Sequence, residues 1–230
     1  ITGLAPTPAD IAAFEADRAP GAYERAVDRM LSSDTAAEHS ARLWLDAVRY
    51  ADTHGIHIDN ARNIYPYRDW VLRAFKANQP FDQFTIEQIG GDLIPNATLE
   101  QIVATGYCRC LPTTGEGGAI AEEVMANYAK DQVETLGAVW MGLTSGCAAC
   151  HDHKFDPISQ KDYYQLYAYF NTLGDAGLDG NGGNNSGPAV SKKTVLRTDE
   201  EGRLQARIAA LRQTLATRDD AVLAAWIKEQ

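Results

Sequence analysis

Positive charge is scarce in this sequence. Lysine and arginine number 21 against 31 aspartates and glutamates, a formal net charge of −10. No clustered stripe of basic residues is present, which argues against sequence-independent nucleic-acid binding. The acidic excess reads instead as a solvated surface that favours solubility. Long apolar runs are missing too. None could cross a bilayer as a helix, so no membrane span is expected in this chain. Period-two alternation is absent apart from a stray extended piece at residues 194–197, so a sheet is not expected. Cysteine is limited to four residues, too few for a disulfide-dense scaffold. No charged-then-apolar leader is found within the sequence, which starts at Ile1 rather than Met. The chain is therefore read as a processed or cut-down piece, which leaves export open.

The 230 residues are 45% apolar and 23% charged, a globular composition. Helical periods dominate. Thr7-Pro8 is a helix-start signal, and Ile11, Phe14, Val27 and Leu31 recur as apolar positions around a break at Pro20-Gly21. A second helix is expected over residues 36–51, with Leu43, Trp44, Ala47 and Val48 as its inner face. A third follows Pro66 with Trp70, Val71, Ala74 and Phe75 and stops by Pro80. Short helices are expected at 82–89 and from the capping box Thr98-Leu-Glu-Gln101 to Gly106. Longer ones follow at 121–144 and 160–171. A Gly/Asn-rich stretch then reads as a linker over 174–197. Beyond it, Leu204, Ile208, Leu211 and Leu215 are spaced four, three and four. That spacing suits a short coiled-coil seam or a packed amphipathic helix. The expected organisation is a helical body over 1–173, the linker, and a C-terminal helical segment over 198–230.

The most informative stretch is Gly146-Cys-Ala-Ala-Cys-His-Asp-His-Lys-Phe-Asp-Pro157. It holds two of the four cysteines and two of the five histidines. Cys-x-x-Cys-His is the attachment pattern of c-type haem, with His151 the proximal iron ligand. At this composition it arises by chance in roughly one chain in seven hundred. Two other readings stay open. Cys147 and Cys150 could join Cys108 and Cys110, with His151 or His153, in a zinc site, provided the four thiols converge. A redox dithiol would need a strand before the motif, and helices flank it here.

Candidates for the opposite side of the iron are His54, His57 and Met125. Met141 is expected to face the core, and His153 is too near His151 to reach the other haem face. His54 and His57 lie in a loop-like segment with two aspartates, and either could also serve as an acid–base group beside an open iron. Glu116, in the glycine-rich loop before Glu122-Glu123, could line such a pocket, or the acids there could hold Ca²⁺. Asp152, His153 and Lys154 are candidates for supporting the ligand, Asp152 by orienting an imidazole or by capping the next helix. The aromatic run Tyr163, Tyr164, Tyr167, Tyr169 and Phe170 is expected to be mostly core.

The stretches ARLWLDAVRYADTHGIHIDN, YPYRDWVLRAF, NQPFDQFTIEQIGGDLIPNATLEQIVATGY, EGGAIAEE and VWMGLTSGCAACHDHKFDPISQKDYYQLYAYFN cover most of residues 40–171. In wording and order they resemble the cytochrome-c-like domain of unknown function found in large secreted planctomycete proteins. The resemblance implies haem attachment at Cys147, Cys150 and His151. It implies a place in a longer exported protein beside another cytochrome module, and a role for His153 or Lys154 in the HDHKFDP extension. It also implies that His54 and His57 belong to only some members, so neither is a ligand required throughout.

The expectation is thus a mainly α-helical haem c domain with long loops. It would pass electrons to an adjacent cytochrome module or a redox partner protein, in the periplasm or another extracytoplasmic compartment. The alternatives are a peroxidase-like or oxidising haem enzyme with an open distal site, and a zinc-stabilised interaction module.

Overall fold

The computed structural model describes residues 1–56, 59–114, 116–172 and 202–215. It is mainly helical, and among the described residues the only β pairing is two isolated bridges, Thr53 with Ala61 and Gly55 with Thr113. Two units are distinguished, Ile1–Ser191 and Lys192–Gln230. The expected linker and its edges at 174 and 198 lie outside the described residues, as does the extended piece at 194–197. Residues 202–215 of the second unit are helical.

In the first unit, α1 (Pro8–Ala16) starts at the Thr7 cap, where Thr7 and Asp10 form a reciprocal capping box. It buries none of its residues, and Ile11 and Phe14 are exposed. Gly21, at φ 83, turns the chain into α2 (Ala22–Leu31), which buries Ala26 and leaves Leu31 exposed. Of the apolar positions that recur here, Ile11, Phe14 and Leu31 are thus exposed and Val27 is half-buried.

Helix α3 (Asp34–Ala47) is capped by Ser33 and ends earlier than expected. Its inner face is Ala36, Ala37, Ala41 and the following Val48, while Leu43 and Ala47 face outward. Small side chains line the face where α3 meets α4 (Tyr65–Lys76). Helix α4 buries Tyr67, Trp70, Val71 and Ala74 as its period demands, and stops before Pro80. Pro80 then caps α5 (Phe81–Gly90), whose Phe84 stacks on Trp70 at 5.2 Å and meets Trp44 edge-on at 4.9 Å. Gln88 is fully buried among these rings. Its carbonyl oxygen accepts from Tyr67 Oη at 2.6 Å and Trp44 Nε1 at 3.0 Å, so the buried polar atoms pair with one another.

The second capping box, Thr98 with Gln101, opens α6 (Leu99–Ala104). That helix tightens into a 3₁₀ turn over Thr105–Arg109 rather than ending at Gly106. Helix α7 (Ala121–Leu136) is likewise shorter than expected. It widens into a π turn over Gly137–Met141, and Gly142 at φ 63 stops it. Trp140, in that turn, packs edge-on against Trp44 and Tyr107 and donates to Thr85 Oγ1 at 3.0 Å. Helix α8 (Gln160–Phe170), the last described helix of this unit, starts from a Ser159–Asp162 capping box.

Candidate functional site: an exposed Cys-x-x-Cys-His turn

The turn that carries the cysteines is built by what lies beneath it. Beyond Gly142 the chain doubles back, and Leu143 N donates to Gly137 O at 2.9 Å. Ser145–Ala149 then form a 3₁₀ turn. In a 3₁₀ helix, side chains three apart eclipse one another. Ser145 and Ala148 fall on the inward face, 7% and 0% exposed. Cys147 in the turn and Cys150 just past its end, also three apart, lie away from that buried face, and both thiols are free and exposed. Gly137 and Gly146 permit the close approach. A Cβ on Gly137 would come within 2.9 Å of Ser145 Oγ, and one on Gly146 within 3.0 Å of the Glu134 carboxylate. Glu134 in turn accepts from Tyr163 Oη at 3.5 Å. Burial, with the adjacent Glu134 charge, pushes the Tyr163 hydroxyl well above the usual phenol range.

Helix α8 holds the far side of the turn. Tyr164 Oη and Gln160 Nε2 both donate to Ala149 O, at 3.0 and 3.3 Å. The Asp152 carboxylate accepts from Gln160 N at 2.7 Å and so caps that helix. Its backbone carbonyl lies 2.8 Å from His151 Nδ1. A carbonyl can only accept, so Nδ1 carries the proton. The other nitrogen, Nε2, is left with its lone pair on an exposed ring. Asp152 thus orients His151 through its backbone and caps α8 through its side chain.

His153 is placed differently. Its side chain is only 7% exposed, and Nδ1 accepts from Asp156 N at 2.9 Å, with Asp156 Oδ2 at 3.2 Å. With His153 N donating to Ile158 O at 2.8 Å, it ties down the loop of residues 153–158. Lys154 is exposed, with its ammonium 5.1 Å from the centre of the Phe155 ring. Phe155 is itself 82% exposed, and Met141 and Tyr164 are also open to solvent. The expectation that Met141 faces the core does not hold. The aromatic run divides instead of forming core throughout. Tyr163 and Phe170 are buried, Tyr164 and Tyr169 exposed, and Tyr167 half-buried.

The four thiols do not converge. Cys108 and Cys110 are buried, and burial pushes the Cys110 thiol far above its usual range. Among the described residues no group of three or more His, Cys, Asp or Glu is placed to hold a metal ion. The demand of the zinc reading is therefore not met, and no acid cluster for Ca²⁺ is assembled around Glu116, which is exposed.

Of the other sixth-ligand candidates, His57 lies outside the described residues. His54 is 2% exposed, with its backbone paired to Asn60 and Thr113 and its Nε2 buried without a hydrogen-bond partner. Its neighbour segment meets α7 at Tyr128, whose hydroxyl accepts from Thr114 N at 3.2 Å. The cysteine turn meets α7 at Glu134, about 9 Å further along the axis. Met125 is half-buried near the start of α7, about 14 Å of helix before Glu134.

The residues present fit a covalently held haem. Two free thiols lie exposed three residues apart, a histidine with an open Nε2 follows them, and apolar side chains lie exposed alongside. Sequence reasoning missed the 3₁₀ eclipse and the Asp152 carbonyl. The small pair Ala148-Ala149 between the cysteines was the available sign of a turn pressed onto a helix.

Fold and site together define a mainly helical domain that presents Cys-x-x-Cys-His on an exposed turn between two helices. The chain belongs to the PSCyt2 family, described as a protein of unknown function (DUF1549), and the match covers residues 1–175. No curated protein and no solved structure matches it.

Proposed function

We propose that the domain holds a c-type haem on Cys147 and Cys150, with His151 Nε2 as proximal ligand, and passes electrons as one module of a larger exported redox protein. The observation that carries this reading is the exposure of the two thiols away from the buried face of the turn, with His151 held at Nδ1 immediately after them. Each thiol adds its sulfur and its hydrogen across a vinyl double bond, so attachment needs no leaving group. When bound, the iron supplies one-electron chemistry. The chain's own part is to fix the attachment points, orient the imidazole through the Asp152 carbonyl, and offer Phe155, Met141 and Tyr164 as apolar surface. Attachment of haem c needs reduced thiols and an extracytoplasmic assembly system, so the proposal includes assembly and residence outside the cytoplasm.

A second reading is supported by the placement of His54 and Met125. His54 is buried beside the segment that meets α7 at Tyr128, and Met125 lies earlier still on α7, whereas the cysteine turn meets it at Glu134. An iron that neither of them reached, and that no other residue of the chain ligated, would keep an open sixth position or take its sixth ligand from another module. An open position suits a peroxidase-like or oxidising enzyme.

Single substitutions test the attachment. Cys147→Ser and Cys150→Ser should each retain haem through one thioether, with the pyridine haemochrome α-band displaced toward that of a haem with one free vinyl. Unchanged spectra in both variants would overturn the assignment. A high-spin wild-type spectrum that shifts with cyanide would favour the enzyme, and a six-coordinate one the carrier.

A further inference from the structure

The 202–215 helix lies beyond the matched family region and stands outside the haem reading. Leu204, Ile208, Leu211 and Leu215 are 52%, 42%, 55% and 58% exposed. Their spacing of four, three and four keeps them on one stripe, at the d and a positions of a heptad. Most helices in proteins are stabilised by packing such a stripe.

The charges beside the stripe indicate what would cover it. The helix carries Arg203, Arg207 and Arg212 and no acidic residue, in a chain of formal charge −10. With Leu204 at d, Arg207 falls at g and Arg212 at e, the two positions that select coiled-coil partners. A parallel copy in register would set Arg207 against Arg212 on both edges, which repels. An antiparallel copy would set these arginines beside Thr214 and Gln205 and gain no opposite charge. A helix with carboxylates at e and g would gain an ion pair at each.

We propose that residues 202–215 form a docking seam for an acidic amphipathic helix of a partner protein, with leucine-type residues at a and d and Glu or Asp at e and g. The seam buries the four aliphatic side chains, and Arg207 and Arg212 choose the partner.

The test uses the full 230-residue chain and two synthetic three-heptad peptides with the same Leu/Ile seam. One has Glu at every e and g, the other Lys. The Glu peptide should bind at least about tenfold more tightly than the Lys peptide. That preference should fade as salt is raised to about 0.5 M. Ile208→Asp should abolish binding while leaving the melting of the first unit unchanged. The double variant R207E/R212E should transfer the preference to the Lys peptide. Equal binding of both peptides, binding of neither, or a dimer of the chain that Ile208→Asp dissolves would each overturn the proposal.

Discussion

Asp152 shows two atoms of one residue doing separate work. Its carboxylate caps α8, and its carbonyl fixes the His151 ring. Asp152→Ala should therefore cost about 1 kcal/mol of stability through the lost cap, while the coordination spectrum of the haem-loaded protein stays unchanged. A change in spin state would mean the carboxylate orients the imidazole. Gly91 makes a second residue-scale prediction. A Cβ there would overlap the carbonyl oxygen of Gln101, so Gly91→Ala should lose about 1–3 kcal/mol in a urea titration. Gly117→Ala, with open space around it, should be close to neutral. At the Ser159 cap, Asp162 accepts from the Ser159 hydroxyl and backbone N–H, which hold its carboxyl below the usual 3.8. A lowered pKa in the folded state gives stability that is fully present above pH 3.8 and is lost as pH falls through the folded value. The difference in melting temperature between the wild type and Asp162→Asn should be largest near neutral pH and shrink below that point. A difference constant with pH would contradict a charge-based cap.

Among the elements, those with local start signals were legible. Thr7, Thr98 and Ser159 each close a box with the residue three further on, so α1, α6 and α8 begin where the residues themselves dictate. The inner face of α3 was not legible. Hydrophobicity points to Leu43, but the buried positions are Ala37 and Ala41, on a helix that packs chiefly against α4, and a partner that comes later in the chain is not read from the helix itself. The end of α7 is hidden from the sequence for a similar reason. The chain widens at Gly137 because Ser145 must pack there, a contact made by residues beyond the helix. The cysteine motif could be read directly, since its spacing is chemical. Its outward presentation could not, because it follows from Ala148 being buried on the other face of a 3₁₀ turn. Cys108 and Cys110 look like partners for that motif by count alone, and their burial separates them from it.

For the whole molecule, the formal charge of −10 sets how a redox partner would arrive. A haem held at the surface of an acidic body should exchange electrons faster with a basic partner than with an acidic one, and that advantage should fall as salt rises. Stopped-flow mixing with one small redox protein of each sign would measure it, and equal rates at low salt would contradict it. All of this depends on whether Cys147, Cys150 and His151 hold haem. The most direct measurement is a pyridine haemochrome assay on protein purified from a host that assembles c-type cytochromes, after acid–acetone extraction. Haem that stays with the polypeptide and gives a c-type α-band is the expected result. A folded protein that retains no haem after extraction would contradict the assignment.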